Sequence, residues 1–234
     1  MNIQRTLIAA VLAATAATAS AQHTAGSSVG NLGYQLIDLA PDDGIAPWIG
    51  LDSHGAEAYA SVYDQEGNEI DGKRIDGFGT TGFDNNYASL HATAQPDLAS
   101  VLLTLHSGYG YADANRSFRF TLSPHTQVVF SVDADLWASP EAPGASWPTV
   151  LAELYGSLPG FNDGERFMST LRLAGSAQHG TLSVTASSQD DWGNGILSFN
   201  AYAVAESHAA PIPEPAAPAL LLGGLAMLAI ARRR

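Results

Sequence analysis

The chain has 234 residues, of which 46% are hydrophobic and 14% charged, and it contains no cysteine. Ten Lys and Arg against twenty-three Asp and Glu give a formal charge of −13 at pH 7. So acidic a surface repels nucleic acid and anionic lipid headgroups, and without cysteine there are no disulfides, thiol nucleophiles or cysteine metal sites.

Residues 1–21 read as a signal peptide. Arg5 precedes an apolar stretch that starts at Leu7, and Ala19-Ser20-Ala21 supplies an A-x-A cleavage site before Gln22. Cleavage is therefore expected after Ala21, with Ala19 and Ala21 as its small-residue determinants.

The body, residues 22–209, is long enough to hold one self-sufficient core. Setting aside Arg5, Glu214 and the three terminal arginines leaves it six bases against twenty-two acids, a charge of −16. Apolar and polar residues alternate at 34–39, 58–63, 117–122, 128–132, 170–173, 181–185 and 196–202. Clusters such as Pro41-Asp42-Asp43-Gly44 and Gln65-Glu66-Gly67-Asn68 separate these segments. The pattern predicts an all-β body, an antiparallel β-sandwich with a jelly-roll-like arrangement. Residues 100–105 and 149–154 suit either a strand or a short helix. The proline-rich 140–148 is expected to form an exposed loop.

Catalytic motifs are scarce. Gly26-Ser27-Ser28-Val29-Gly30 matches G-x-S-x-G, but a nucleophile elbow needs a buried strand before its serine and a helix after it. This small-residue stretch predicts neither. His23, His54, His91, His106, His125, His179 and His208 form no H-x-x-x-H or H-E-x-x-H pair, so no zinc site is expected. Residues 64–71, Asp-Gln-Glu-Gly-Asn-Glu-Ile-Asp, place oxygen ligands as calcium requires but lack EF-hand order, and Asn and Gly suit a hairpin turn without metal. Asp133 with Asp135 and Asp190 with Asp191 are weaker pairs of the same kind. Trp48, Trp137, Trp147 and Trp192 lie near loops or strand ends, where indoles either stack on sugars or fill the core. No cofactor or metal is expected.

Residues 210–234 carry the clearest signal. Pro211, Pro213, Pro215 and Pro218 favour an extended approach, and Glu214 is the only charge between Glu206 and Arg232. From Ala219 to Ala231 every residue is Ala, Leu, Ile, Met or Gly, so no polar face is marked and a membrane helix is expected. Sixteen residues at about 1.5 Å span roughly 24 Å, against a hydrocarbon core of about 30 Å, a mismatch that snorkelling arginines can close. Arg232, Arg233 and Arg234 form a cytoplasmic stop.

Pro213-Glu214-Pro215, an apolar helix and an arginine cluster, in that order at the C-terminus, resemble the PEP-CTERM sorting signal of Gram-negative bacteria. The segments 38–47 and 122–126 are also similar to phrases in β-rich bodies of that family. The resemblance implies recognition of Pro213, Glu214 and Pro215 by an exosortase-like processing enzyme. It also implies a transient inner-membrane anchor, then delivery to the cell surface or extracellular matrix alongside exopolysaccharide and biofilm functions. The expected protein is exported and non-catalytic. The alternative is a carbohydrate-binding module or glycan-degrading enzyme that uses the same route. Aromatic residues gathered on one exposed sheet face would favour sugar binding, and two carboxylates facing across a cleft would favour hydrolysis.

Overall fold

Alternation of inward and outward side chains governs every element of the computed structural model, which describes residues 23–139, 148–158 and 165–207. These residues lie within the unit Gln22–His208 and form twelve strands and no helix. In chain order they are β1 (His23–Asp38), β2 (Ile49–Tyr63), β3 (Glu69–Asp76), β4 (Gly79–Asp84), β5 (Ala88–Ala94) and β6 (Leu98–Leu105). There follow β7 (Gly108–Leu122), β8 (Thr126–Ala138), β9 (Thr149–Leu158), β10 (Glu165–Arg172), β11 (Ala177–Ser187) and β12 (Gly193–Ser207).

Two six-stranded sheets result, ordered β11-β8-β1-β6-β5-β4 and β10-β9-β12-β7-β2-β3. Each pairing is antiparallel. The sheets stack strand over strand, β11 on β10, β8 on β9, β1 on β12, β6 on β7, β5 on β2 and β4 on β3. The expected all-β sandwich is what forms. Residues 100–105 and 149–154, which suited strand or helix, are strand throughout within β6 and β9.

The core lies between the inner faces. Phe120 of β7 meets Phe130 of β8 across the two sheets, ring centroids 5.2 Å apart. Among the described residues sixteen of the thirty-six buried apolar side chains are alanine, a residue that strands do not favour intrinsically. Small side chains opposite Phe and Leu let the layers interdigitate. β7 shows the resulting parity: its even-numbered residues from Gly108 to Leu122 are buried and its odd-numbered ones face out.

One expectation is corrected. The Gly26–Gly30 stretch is regular backbone inside β1, paired with β6 on one side and β8 on the other. Its parity explains why: Ala25, Ser27 and Val29 are buried, and Ser27 Oγ donates across the sandwich to Leu151 O at 3.0 Å. Gly26 faces outward beneath Trp137, whose indole lies 2.6 Å from where a Cβ would sit. The strand continues past Ser28, so no elbow forms.

Candidate functional site

The outer face of the second sheet gathers the tyrosines. In β2, Ala58, Ala60 and Val62 are buried, so Tyr59 and Tyr63 project outward. β7 turns Tyr109, Tyr111 and Asp113 to the same side, and in β12 the buried Ala201 and Ala203 turn Asn200 and Tyr202 there. Register brings these positions into rows. Asp113 lies opposite Tyr59 on one flank and Tyr202 on the other, while Tyr63 lies opposite Tyr109. Tyr155 of β9 joins them opposite Ser198. Six of the chain's eight tyrosines therefore share one face.

Five of the rings make contacts, in two groups. Tyr63 and Tyr109 lie 5.9 Å apart, Tyr59 and Tyr111 5.5 Å, and Tyr111 and Tyr202 5.3 Å with planes at 86°. These are favourable tilted and edge-to-face contacts. Tyr59, Tyr63, Tyr109 and Tyr111 line a depression of about 450 Å³ whose floor includes the buried Ser61. A second depression of about 560 Å³, walled by Tyr155, Phe167 and Met168, opens on the same sheet. Met168 is 68% exposed. Across β2, β7, β12, β9 and β10 the aromatic track is about 19 Å wide at the usual interstrand spacing.

Polar groups sit between the rings. Asn200 Nδ2 donates to Asp113 Oδ2 at 3.0 Å, and Asn115 Nδ2 donates to the Tyr155 hydroxyl at 2.9 Å. Burial pushes the Asp113 carboxyl above the ordinary aspartate range; the Asn200 bond opposes this and the charges of Glu57 and Glu153 add to it. Burial, with Asp113 and Tyr202 adding, holds the Tyr111 hydroxyl far above the usual tyrosine range, so it stays neutral. Glu57 and Glu153 stand on this one face in a row that runs through Asn115 and Asn200. Three strand spacings put their backbones about 14 Å apart. They do not face each other across a cleft.

A Ser–His–Asp trio occurs on the outer face of the first sheet, and its geometry is wrong for nucleophilic catalysis. Ser89 Oγ donates to Asp84 Oδ1, while His91 Nε2 lies 3.4 Å from Ser89 Oγ and 3.5 Å from Asp84 Oδ1. A relay needs serine at one ring nitrogen and aspartate at the other. Here both crowd the same nitrogen.

Of the sequence candidates, the loop after β2 is a hairpin turn. Asp64 accepts from Glu66 N, Asn68 N and Asn68 Nδ2 at 2.8–2.9 Å, and these bonds hold its carboxyl below the ordinary range. The turn is shorter than expected, since Glu69, Ile70 and Asp71 already belong to β3. Trp48 and Trp192 meet edge to face at 5.6 Å, each about half exposed. Beside Trp48, Ser123 Oγ accepts from Trp48 N at 2.9 Å, and His125 (φ 51°) places Nε2 3.9 Å from Asp43 and 3.8 Å from Asp190. Trp137 covers Gly26 instead. Asp133 bonds Asn31 and Thr181, and Asp135 pairs with His179 at 2.7 Å. Among the described residues no three His, Asp or Glu converge as metal ligands.

Ala19, Ala21, Pro213, Glu214, Pro215, Arg232, Arg233 and Arg234 lie outside the described residues, as do Trp147, His208 and all but Pro148 of the stretch 140–148 expected to form a loop. No helix among the described residues is long and apolar enough to cross a membrane. The tyrosine face was missed because alternation at 58–63 marks one strand's two faces and not which strands lie beside it. The available signal was the size difference: alanine at one parity and tyrosine at the other, repeated in β7 and β12. No protein family, curated protein or solved structure matches this chain.

Proposed function

We propose that this is an exported, non-catalytic protein of the cell surface or extracellular matrix whose body binds polysaccharide on the tyrosine face of the second sheet. The observation that carries this reading is the concentration of six tyrosines on one side of one sheet. Tyrosine offers an apolar ring to the C–H face of a sugar and a hydroxyl to its polar rim. Asn115, Asn200 and Asp113, set among the rings, supply the donors and acceptors that fix orientation. An open track suits a polymer better than a small molecule, which needs enclosure.

Residues 1–21 and 210–234 supply the delivery in this proposal. The signal peptide sends the body across the inner membrane, the apolar helix 216–231 holds it there transiently, and an exosortase-like enzyme reads Pro213, Glu214 and Pro215. Arg232, Arg233 and Arg234 keep the end cytoplasmic. The body then meets exopolysaccharide outside.

Affinity electrophoresis through gels containing a neutral glucan, an anionic uronate polymer or a hexosamine polymer tests the binding. At least one polymer should retard the protein, and Tyr59→Ala or Tyr111→Ala should each weaken retention about tenfold, as loss of roughly 1.4 kcal/mol of ring contact requires. No retardation by any polymer, or equal retardation of the double variant, overturns the proposal.

A further inference from the structure

Asp113 is a carboxylate short of partners. Its Oδ2 accepts one bond, from Asn200 Nδ2, and among the described residues it forms no ion pair. The arginine nearest in register, Arg74 opposite Tyr59, is held by Glu57 at 3.0 Å and Asp76 at 2.9 Å. Asn200 is short as well. An ionised carboxylate only accepts, so Asn200 must turn its NH₂ toward Asp113. That leaves Asn200 Oδ1 buried with no partner among the described residues. Asp113 thus has one donor for its two oxygens, and Asn200 Oδ1, shut away from solvent, costs about 1–3 kcal/mol as an unsatisfied buried acceptor.

The surroundings choose the donor. Tyr59 and Tyr202 flank Asp113 and Tyr111 precedes it on the same strand face, with Tyr111 and Tyr202 nearly perpendicular. Three tyrosine rings beside a carboxylate favour a cation over a neutral group. A primary ammonium brings a positive charge and three N–H donors to the carboxylate. A hydroxyl brings one donor and no charge, and an N-acetyl group removes the charge and adds bulk. We propose that Asp113, set in register between Tyr59 and Tyr202 and beside Tyr111, receives a protonated amine of the polysaccharide, so that the ligand is a glycan bearing free amino groups. This rests on the reading of the tyrosine face as a glycan site. The upward push on the Asp113 carboxyl agrees with a site that lacks its counter-ion.

Calorimetry of the exported protein decides it, with four probes: β-1,4-linked hexamers of glucosamine, N-acetylglucosamine and glucose, and spermidine. The glucosamine hexamer should bind at least tenfold more tightly than the other two hexamers and than spermidine. Asp113→Asn should erase that preference, while Asp135→Asn, on the other sheet, should keep it and so exclude a general effect of net charge. Equal affinity for all three hexamers overturns the amine inference and leaves the glycan reading intact. Failure of every hexamer also overturns the amine inference, and the glycan reading then stands or falls by the gel retardation. Spermidine binding as tightly as the glucosamine hexamer also overturns the inference, because the glycan then contributes nothing.

Discussion

At the scale of single residues, Asp113 has a stability signature that its surroundings dictate. Its folded-state carboxyl titrates above the unfolded value, first through burial and then through Glu57 and Glu153. Between the two values the folded protein holds the proton more often, so stability falls as pH rises through that window and stays lower above it. Asp64 and Asp84 run the other way. Hydrogen bonds from Asn68 and Ser89 depress their carboxyls, and the stability they contribute is lost as pH falls through the depressed values. Comparing the parent with Asp113→Asn cancels those opposite terms. The variant should melt higher than the parent at pH 7, and the gap should close as pH approaches the ordinary aspartate range near about 4. Thermal unfolding across pH 4–8 checks this, and a variant that melts lower at pH 7 contradicts the account. Stability given up at a charge without a counter-ion is a common mark of a functional site.

At the scale of elements, Arg116 ties together turns that pairing alone does not join. It is 2% exposed on the inner face of β7. Its guanidinium donates to Gly55 O in the β2 bulge at 2.6 Å, to Ser117 O at 2.5 Å and to Pro96 O in the β5–β6 turn at 3.3 Å. The Phe118 and Phe78 ring centroids lie 4.1 and 4.8 Å from it. Carbonyls and rings thus stand in for a carboxylate. Arg116→Ala should cost about 3–5 kcal/mol by leaving buried carbonyls without donors. Arg116→Lys should recover only part of that, because an ammonium cannot reproduce the planar fork. Urea unfolding measures both, and a loss under 1 kcal/mol for the alanine variant would remove Arg116 from this role.

The same scale shows what the sequence made legible. Segments with Val, Phe or Leu at every second position, such as Val128 to Val132 and Phe118 to Leu122, are plain strands in the sequence and in the fold. β5, Ala-Ser-Leu-His-Ala-Thr-Ala, and the first half of β1 were not, because each turns inward a single branched aliphatic, Leu90 or Val29, among smaller or polar residues. A weak intrinsic preference there is overridden by packing between two larger neighbours. The candidate site was hidden for a related reason. Period-two alternation says which residues share a face, but only register says which strands lie side by side. Tyr59, Asp113 and Tyr202 are far apart in the chain and meet through two long-range pairings.

At the scale of the whole molecule, delivery and binding are separable. In the proposed sorting route Glu214, the lone charge among prolines, is the feature the processing enzyme reads. Glu214→Ala should leave membrane insertion intact while full-length protein accumulates in the inner membrane. Mass spectrometry of the exported protein from its native host checks this; an intact segment 216–231 in the bulk of the parent protein contradicts the route. The body's role does not depend on that outcome.

Polysaccharide binding on the second sheet is the central claim, and the tyrosines themselves report on it. Hydroxyl-radical footprinting read by mass spectrometry gives an oxidation rate for each ring with and without bound polymer. Tyr34 lies on β1 of the first sheet and Tyr87 in the turn before β5, 52% and 38% exposed, and they serve as internal controls. The account predicts protection of Tyr59, Tyr63, Tyr109, Tyr111 and Tyr202 with Tyr34 and Tyr87 unchanged. Protection confined to Trp48 and Trp192, or spread evenly over all tyrosines, would contradict it.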